Sequence, residues 1–482
     1  MQTQIRVLSE DEIQEIHERS LHLLEKTGMR IETRKGREIL ARAGAVVNKE
    51  SEIVTFPKKV VENAIQTADR NFQLTGRRPK WSFQVNRNDC TLCLDGEGTL
   101  TIDRRRQNVR PSSLEDLSEI TRLADALDEV GVYWRMITPH EIGDRMHDFV
   151  AYVISVFRNF TKHVQDPLTS PAQAPWLIDI LETLFGDRNV IRNTHPFSTL
   201  LCPQSPLILE EAYTDAYLAL KGLNLPVAVM PMAFMGATAP ASMIATVIQC
   251  NCEVLGTLCL IQAHEPGAPF LYAPALSLMD PRSGRYFSGA VENAVMSTAA
   301  VEMARFYGFP VMASILGTDT AGPSVQGGYE RAINALPLLA APDIAVGPGL
   351  FGGDMILSFD QLLIDTEIFR MFRQFRRGVA ADSALFLDHV IEQTGPGGNY
   401  IEHETTLKQV RSGEWYIPRL GVHESIEAGW PSAQPRLRAD VREKVVHLLK
   451  THRPLELDAA VEKELQRILD RARGVPGRFN LV

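Results

Sequence analysis

The chain has 482 residues, 45% of them hydrophobic and 23% charged, a balance that suits a globular enzyme and leaves length for a barrel with additions at its ends. Lys and Arg total 50 against 59 Asp and Glu, a net charge of −9, so there is no basic excess to displace counterions from nucleic-acid phosphates. Six cysteines do not make a disulfide framework at this length.

Cys90 and Cys93 form a lone C-x-x-C with no second pair at zinc-ribbon spacing, and read as reduced thiols on a strand. Cys250, Cys252 and Cys259 read as small core residues of an apolar helix. The opening MQTQIRVLSEDEIQEIH has no apolar segment of the secretory kind, so a cytoplasmic location is expected. Residues 222–252 carry no charge and are long enough to cross a membrane. Pro226, Pro231 and Pro240 interrupt them, so they read instead as a buried strand, a loop and a buried helix.

In chain order, Ser9 and Glu12 form a capping box that opens a helix running to Gly28. A helix at 35–43, a short strand at 53–56 and a helix at 57–67 follow, and 71–110 reads as extended with a turn at Asp95-Gly96. Residues 1–128 are thus expected to be a mixed extension packed on the main domain. From there strands at 131–134, 161–164, 197–201, 226–230, 269–272, 310–314, 343–347 and 399–402 alternate with helices. Eight such units predict an α/β fold, a (β/α)8 TIM barrel over 129–410. A doubly wound open sheet is the alternative, but the G-x-G-x-x-G fingerprint is missing. Residues 411–482 are expected to form a C-terminal helical extension, with Val441, Val445, Leu448 and Leu449 on its apolar face.

Active sites of such barrels lie where strands end. The residues at those ends are Trp134, His163, Gln204, Met232, Phe234, Tyr272, Asp319, Phe351 and His403, a set rich in aromatics and methionine and poor in carboxylates. The histidines stand alone in different loops, so no protein-ligated metal is expected. Lys162 is the one strand lysine that a Schiff-base enzyme could use, and Gly347-Pro348-Gly349 reads as a tight turn rather than a phosphate cradle. Converging aromatic faces suit a quaternary ammonium ion, held by cation–π attraction.

Several segments together resemble the trimethylamine methyltransferase family. They are 8–13 and 24–28, Thr161-Lys162-His163, Gly236-Ala237-Thr238-Ala239-Pro240, Asp319 with Gln326-Gly327-Gly328-Tyr329-Glu330, 358–362 with 364–368, and 403–407. The resemblance implies a barrel that passes a methyl group from a methylated amine to the cobalt of a separate corrinoid protein. It implies no corrinoid held tightly by this chain, and it allows a homo-oligomer. Family members acting on trimethylamine use pyrrolysine, whereas this chain is written in the twenty standard letters. That points to the non-pyrrolysine branch, which includes glycine betaine:corrinoid methyltransferases. On this reading the substrate contacts are Trp134, His163, Tyr272, Asp319, Phe351 and His403, with Trp134, Tyr272 and Phe351 as the aromatic cage. Alternatives are a trimethylamine-type enzyme, a quaternary-amine-binding protein without turnover, and a barrel hydrolase or lyase.

Overall fold

The computed structural model describes residues 5–79, 81–143, 145–421 and 433–475. Eight short strands run parallel: β1 (Thr91–Cys93), β2 (Val130–Tyr133), β3 (His163–Gln165), β4 (Phe197–Leu201), β5 (Val227–Val229), β6 (Phe270–Tyr272), β7 (Met312–Ser314) and β8 (Ile344–Val346). They pair in the order β6-β5-β4-β3-β2-β1-β8-β7, and a parallel bridge between Tyr272 and Val311 closes the ring. Nearly every strand residue is buried, as expected where a core fills one face and helices cover the other. The helices that follow the strands are α1 (Leu114–Asp125), α2 (Met146–Asn159), α3 (Ala174–Phe185), α4 (Glu211–Leu218), α5 (Met243–His264), α6 (Val291–Tyr307), α7 (Val325–Asn334) and α8 (Phe359–Arg376).

The barrel is the predicted one, shifted by one strand. Its first strand is Thr91–Cys93, inside the segment expected to lie outside it, and the expected first strand is the second. The expected last strand, 399–402, is a turn with Ile401 84% exposed. A strand of this barrel must be buried on both faces, and that segment, held between Gly397-Gly398 and a helix starting at Glu404, is not. The tail amphipathic stretch is two helices, Ala433–Thr451 against α8 and α1, and Ala459–Arg473 against α2 and α3, separated around Pro454.

A hairpin of Gln73–Thr75 and Ser82–Gln84 plugs the end where the strands begin. Its Phe72, Leu74, Phe83 and Val85 join Cys93, Val132, Leu200, Ala228, Leu271, Met312 and Ile344 in one interior cluster. The plug is pinned by the Thr75 amide donating to His195 O at 3.2 Å, just before β4, and by the Asn86 amide donating to the Asp343 carboxylate, just before β8.

Helix α5 carries most of the uncharged stretch. It is buried by the helices Glu10–Lys26, Arg34–Arg42 and Lys58–Thr67, and its Glu253 accepts hydrogen bonds from Ser205 Oγ (2.8 Å), the Leu207 amide (2.9 Å) and Gln249 Nε2 (3.0 Å). All six cysteines are free thiols, and burial pushes the Cys90 thiol up to about 12. Leu74 is fully buried at the centre of the plug, so Leu74→Ala should lower stability by about 2–5 kcal/mol. Urea unfolding of the purified variant measures this.

Candidate active site

At the opposite end the strands open onto a cavity of about 60 Å³. That holds a few waters or a small alkylammonium head. Strand ends supply Asp95, Gly96, Trp134, Met230, Ser314 and Gly347. Longer loops add Met232, Tyr286, Ser288 and Asp354, while α6 and α7 add Asn293, Ser297 and Asn334. Beside it, past Tyr286, an outer groove of about 730 Å³ is lined by Phe287, Asp319, Tyr329, Glu330 and Gly353 among others.

The chemistry of the cavity centres on two carboxyls. Asp95 and Asp354 both line it and interact with each other electrostatically, and Tyr286 Oη donates to Asp354 Oδ2 at 3.2 Å. Burial, then the Asp354 charge, raises Asp95 well above the usual carboxylate range; the Gly96 amide (3.0 Å) and the Arg331 charge oppose this only in part. Burial also raises Asp354, against its bond to Tyr286. Burial and the neighbouring carboxyl together oppose ionising both members of the pair.

Two glycines let the walls come this close. A Cβ on Gly96 would lie 2.3 Å from Arg135 O, and one on Gly289 would lie 2.5 Å from the Glu330 carboxyl carbon. The second contact belongs to a brace. Asp319 accepts from the amides of Ser288 and Gly289, both at 2.9 Å. Glu330 accepts from Thr318 Oγ1 (2.6 Å), the Asp319 amide (3.0 Å) and Gln326 Nε2 (2.6 Å). Together they hold the loop that carries Tyr286 and Ser288.

Of the six residues expected at the site, the structure brings only Trp134 to the cavity. Asp319 sits one layer out, in the brace and the groove. His163 is fully buried on the plug side, with Nδ1 3.0 Å from Thr75 O and Nε2 2.7 Å from Ser198 Oγ, and burial pushes it down to about 3. It cannot serve as a cation there. Tyr272 points outward, its Oη donating to Asn251 Oδ1 of α5 at 3.0 Å. Phe351 is buried with the Arg331 guanidinium 4.9 Å from its ring centre, and His403 caps the helix Glu404–Ser412. Lys162 is turned to the carbonyls of Leu127 and Val130, both at 2.6 Å, and is unavailable to a substrate. Asp95, Tyr286 and Asp354 were not among the expected residues. Asp95 would have been legible had Thr91–Cys93 been recognised as a barrel strand, since it follows that strand directly. The mouth is also richer in carboxyls than the sequence pattern indicated.

The model of the family described as trimethylamine methyltransferase (MTTB) matches residues 1–475. The chain belongs to that family. It is a methyltransferase. It is 27% identical over 467 residues to trimethylamine methyltransferase MttB of Desulfitobacterium hafniense strain DSM 10664 / DCB-2, covering 96% of this chain and 93% of that protein. It is also 27% identical over 466 residues to the glycine betaine methyltransferase of Desulfitobacterium hafniense strain Y51, covering 95% of each. Among solved structures, the monomethylamine methyltransferase MtmB of Methanosarcina barkeri aligns with a TM-score of 0.48 at 15% identity, covering 96% of this chain and 92% of that one.

The carboxyl pair has a measurable consequence. A carboxyl raised by folding makes the native state hold a proton that the unfolded chain has lost, so native stability falls as pH rises from about 4 through the raised value. Asp95→Asn removes that dependence. Its stability relative to the unsubstituted protein should therefore improve between pH 5 and pH 8, by about 1.4 kcal/mol for each unit over which the shift extends. Unfolding midpoints in urea at the two pH values decide this; a gain that shrinks toward pH 8 contradicts a carboxyl raised by folding.

Proposed function

We propose that the protein moves a methyl group from a quaternary amine, glycine betaine or a related betaine, to the Co(I) of a corrinoid carried by a separate protein. The observation that carries this reading is the buried carboxyl pair Asp95–Asp354 in a cavity whose wall also holds Trp134, Tyr286, Met230 and Met232 beside Ser288, Asn293 and Asn334. A carboxyl of the pair that ionises draws in a permanent cation, and such a cation in turn favours the ionised form. The rings and thioethers replace water around its methyl groups without competing for hydrogen bonds. Membership of the family supports methyl transfer from an amine, and one relative of equal similarity is a glycine betaine methyltransferase.

The chain's own part is to bind, orient and keep dry. Tyr286 holds Asp354, the Asp319–Glu330 brace holds the Tyr286 loop, and the closed walls fix one N-methyl toward the opening. The C–N bond breaks with its electron pair kept by nitrogen, so a quaternary donor leaves as a tertiary amine with a neutral nitrogen and needs no acid. A reduced corrinoid supplies the nucleophile when its carrier is docked. Cavity and groove offer carboxyls, hydroxyls, amides, thioethers and the guanidinium groups of Arg282 and Arg285. The groove's arginines would face a docked carrier's corrinoid side chains, whose carboxamides can accept from them.

Purified protein mixed with cob(I)alamin and glycine betaine should consume the Co(I) absorbance and release dimethylglycine. Carnitine and trimethylamine belong in the same panel. Activity with trimethylamine alone overturns the substrate; activity with none of them favours a binding protein without turnover.

A further inference from the structure

The segment between α8 and the tail helices takes no part in the barrel. Helix α8 runs from the mouth back to the end where the strands begin. There Arg370 Nε donates to Glu129 at 2.6 Å, just before β2, and Arg376 Nη2 donates to Asn88 O at 3.1 Å, just before β1. Residues 377–413 leave from that point as an arm with two short helices, α9 (Asp388–Thr394) and α10 (Glu404–Ser412). The chain returns beside the same helix, where Gln374 Nε2 donates to Glu414 O at 3.0 Å and the Arg419 amide donates to Glu367 Oε1 at 2.9 Å. Both roots of the arm therefore lie toward the closed end, away from the cavity and the groove.

Helices of seven and nine residues do not persist in water by themselves and depend on packing of an apolar face. Within this chain the arm finds little such packing, since Val390 is the only buried residue in 377–413. Val379, Phe386, Ile391, Ile401 and Leu407 are 91%, 60%, 57%, 84% and 54% exposed. That leaves on the order of 600 Å² of apolar surface uncovered, the upper end of what a monomer shows and close to the roughly 800 Å² each partner gives to a stable interface. Phe375 and Trp415, each more than half exposed, extend the patch at the roots. Charge is divided between the two helices. Asp388 and Glu392 share one face of α9 with Ile391, and Lys408 and Arg411 share one face of α10 with Leu407. None of these four charged side chains makes an ion pair with a described residue.

We infer that this arm is the surface on which two copies of the chain associate, α9 of one copy lying against α10 of the other. A two-fold contact makes every pairing twice. Ile391 then covers Leu407 of the second copy, while Asp388 and Glu392 meet its Lys408 and Arg411. An acidic helix and a basic helix on one arm complement a second copy of the same arm, whereas a foreign partner would call for one sign only. The position agrees with this. A carrier that brings a methyl acceptor needs the mouth, and an interface at the closed end leaves the mouth clear. The inference goes beyond the methyl-transfer reading and does not depend on it.

Sedimentation velocity on the full chain at micromolar concentration should show self-association. One variant carries Asp388→Lys with Glu392→Lys, and a second carries Lys408→Glu with Arg411→Glu, so that in each both helices bear one sign. Each should associate at least about 10-fold more weakly, the scale for losing close charge pairs across an interface. All four side chains are exposed, so both variants should unfold at the midpoint of the unsubstituted protein, which shows that folding is intact. Mixed in equal amounts, the two variants should associate again, because every contact between α9 and α10 then joins opposite charges. Ile391→Asp tests the apolar part and should also separate the copies. An unsubstituted protein that sediments as a monomer overturns the inference. So does association that survives Ile391→Asp or both charge variants, and so does a mixture of the two charge variants that stays dissociated.

Discussion

The mouth of the barrel depends on one buried ion pair. Arg331, 1% exposed on α7, donates to Asp365 Oδ2 of α8 at 2.7 Å, to Leu316 O at 2.8 Å and to Leu350 O. Asp365 in turn accepts from the Gly349 amide and from Gln361 Nε2, both at 2.8 Å. Two helices and the loops after β7 and β8 thus meet on a single guanidinium–carboxylate contact. Removing either partner would strand a charge in the core, a loss of about 3–5 kcal/mol. The same Arg331 charge works against burial at Asp95 and Asp354, so the pair feels a nearby cation without being neutralised by a direct bond to it.

Position and charge are therefore set by different groups. The Asp319–Glu330 brace fixes where Tyr286 stands, and Tyr286 fixes Asp354. On the other side Arg135 is tied to Glu97 at 2.6 Å and lies over the Tyr152 ring at 5.0 Å. These carboxylates are committed to amides or arginine. Asp95 and Asp354 instead lie against each other, and burial raises both.

Much of the architecture could be read from the sequence because buried parallel strands are short apolar runs separated by amphipathic helices, and seven of the eight were found where they lie. Thr91–Cys93 was read as strand but left outside the barrel, because it lies in a long extended segment with no helix on its N-terminal side to mark the first βα unit. Asn399-Tyr400-Ile401-Glu402 was accepted because apolar letters in a row do not reveal exposure. The site suffered more. Strand-end position locates a residue along the barrel axis but not which way its side chain turns, and Tyr272 turns outward while Phe351 lies under Arg331. Asp354 stands in a loop after Gly352-Gly353, and its meeting with Asp95 joins residues far apart in the chain. No local pattern carries that. The segments that carried the family resemblance are legible in hindsight as braces: Asp319 and Glu330 on one loop, Gln361 and Asp365 on another.

The two ends of the barrel have been given opposite tasks, and this limits how the reaction can be run. The end where strands begin is sealed by Phe72, Leu74, Phe83 and Val85, with His163 held neutral between Thr75 and Ser198. Nothing the size of a methylated amine enters there. The open end is the mouth, where Tyr286 lines both the inner cavity and the outer groove. On the proposed reaction, an amine in the inner cavity lies beneath whatever occupies the groove, so the plug favours amine binding before the methyl acceptor and acceptor release before product.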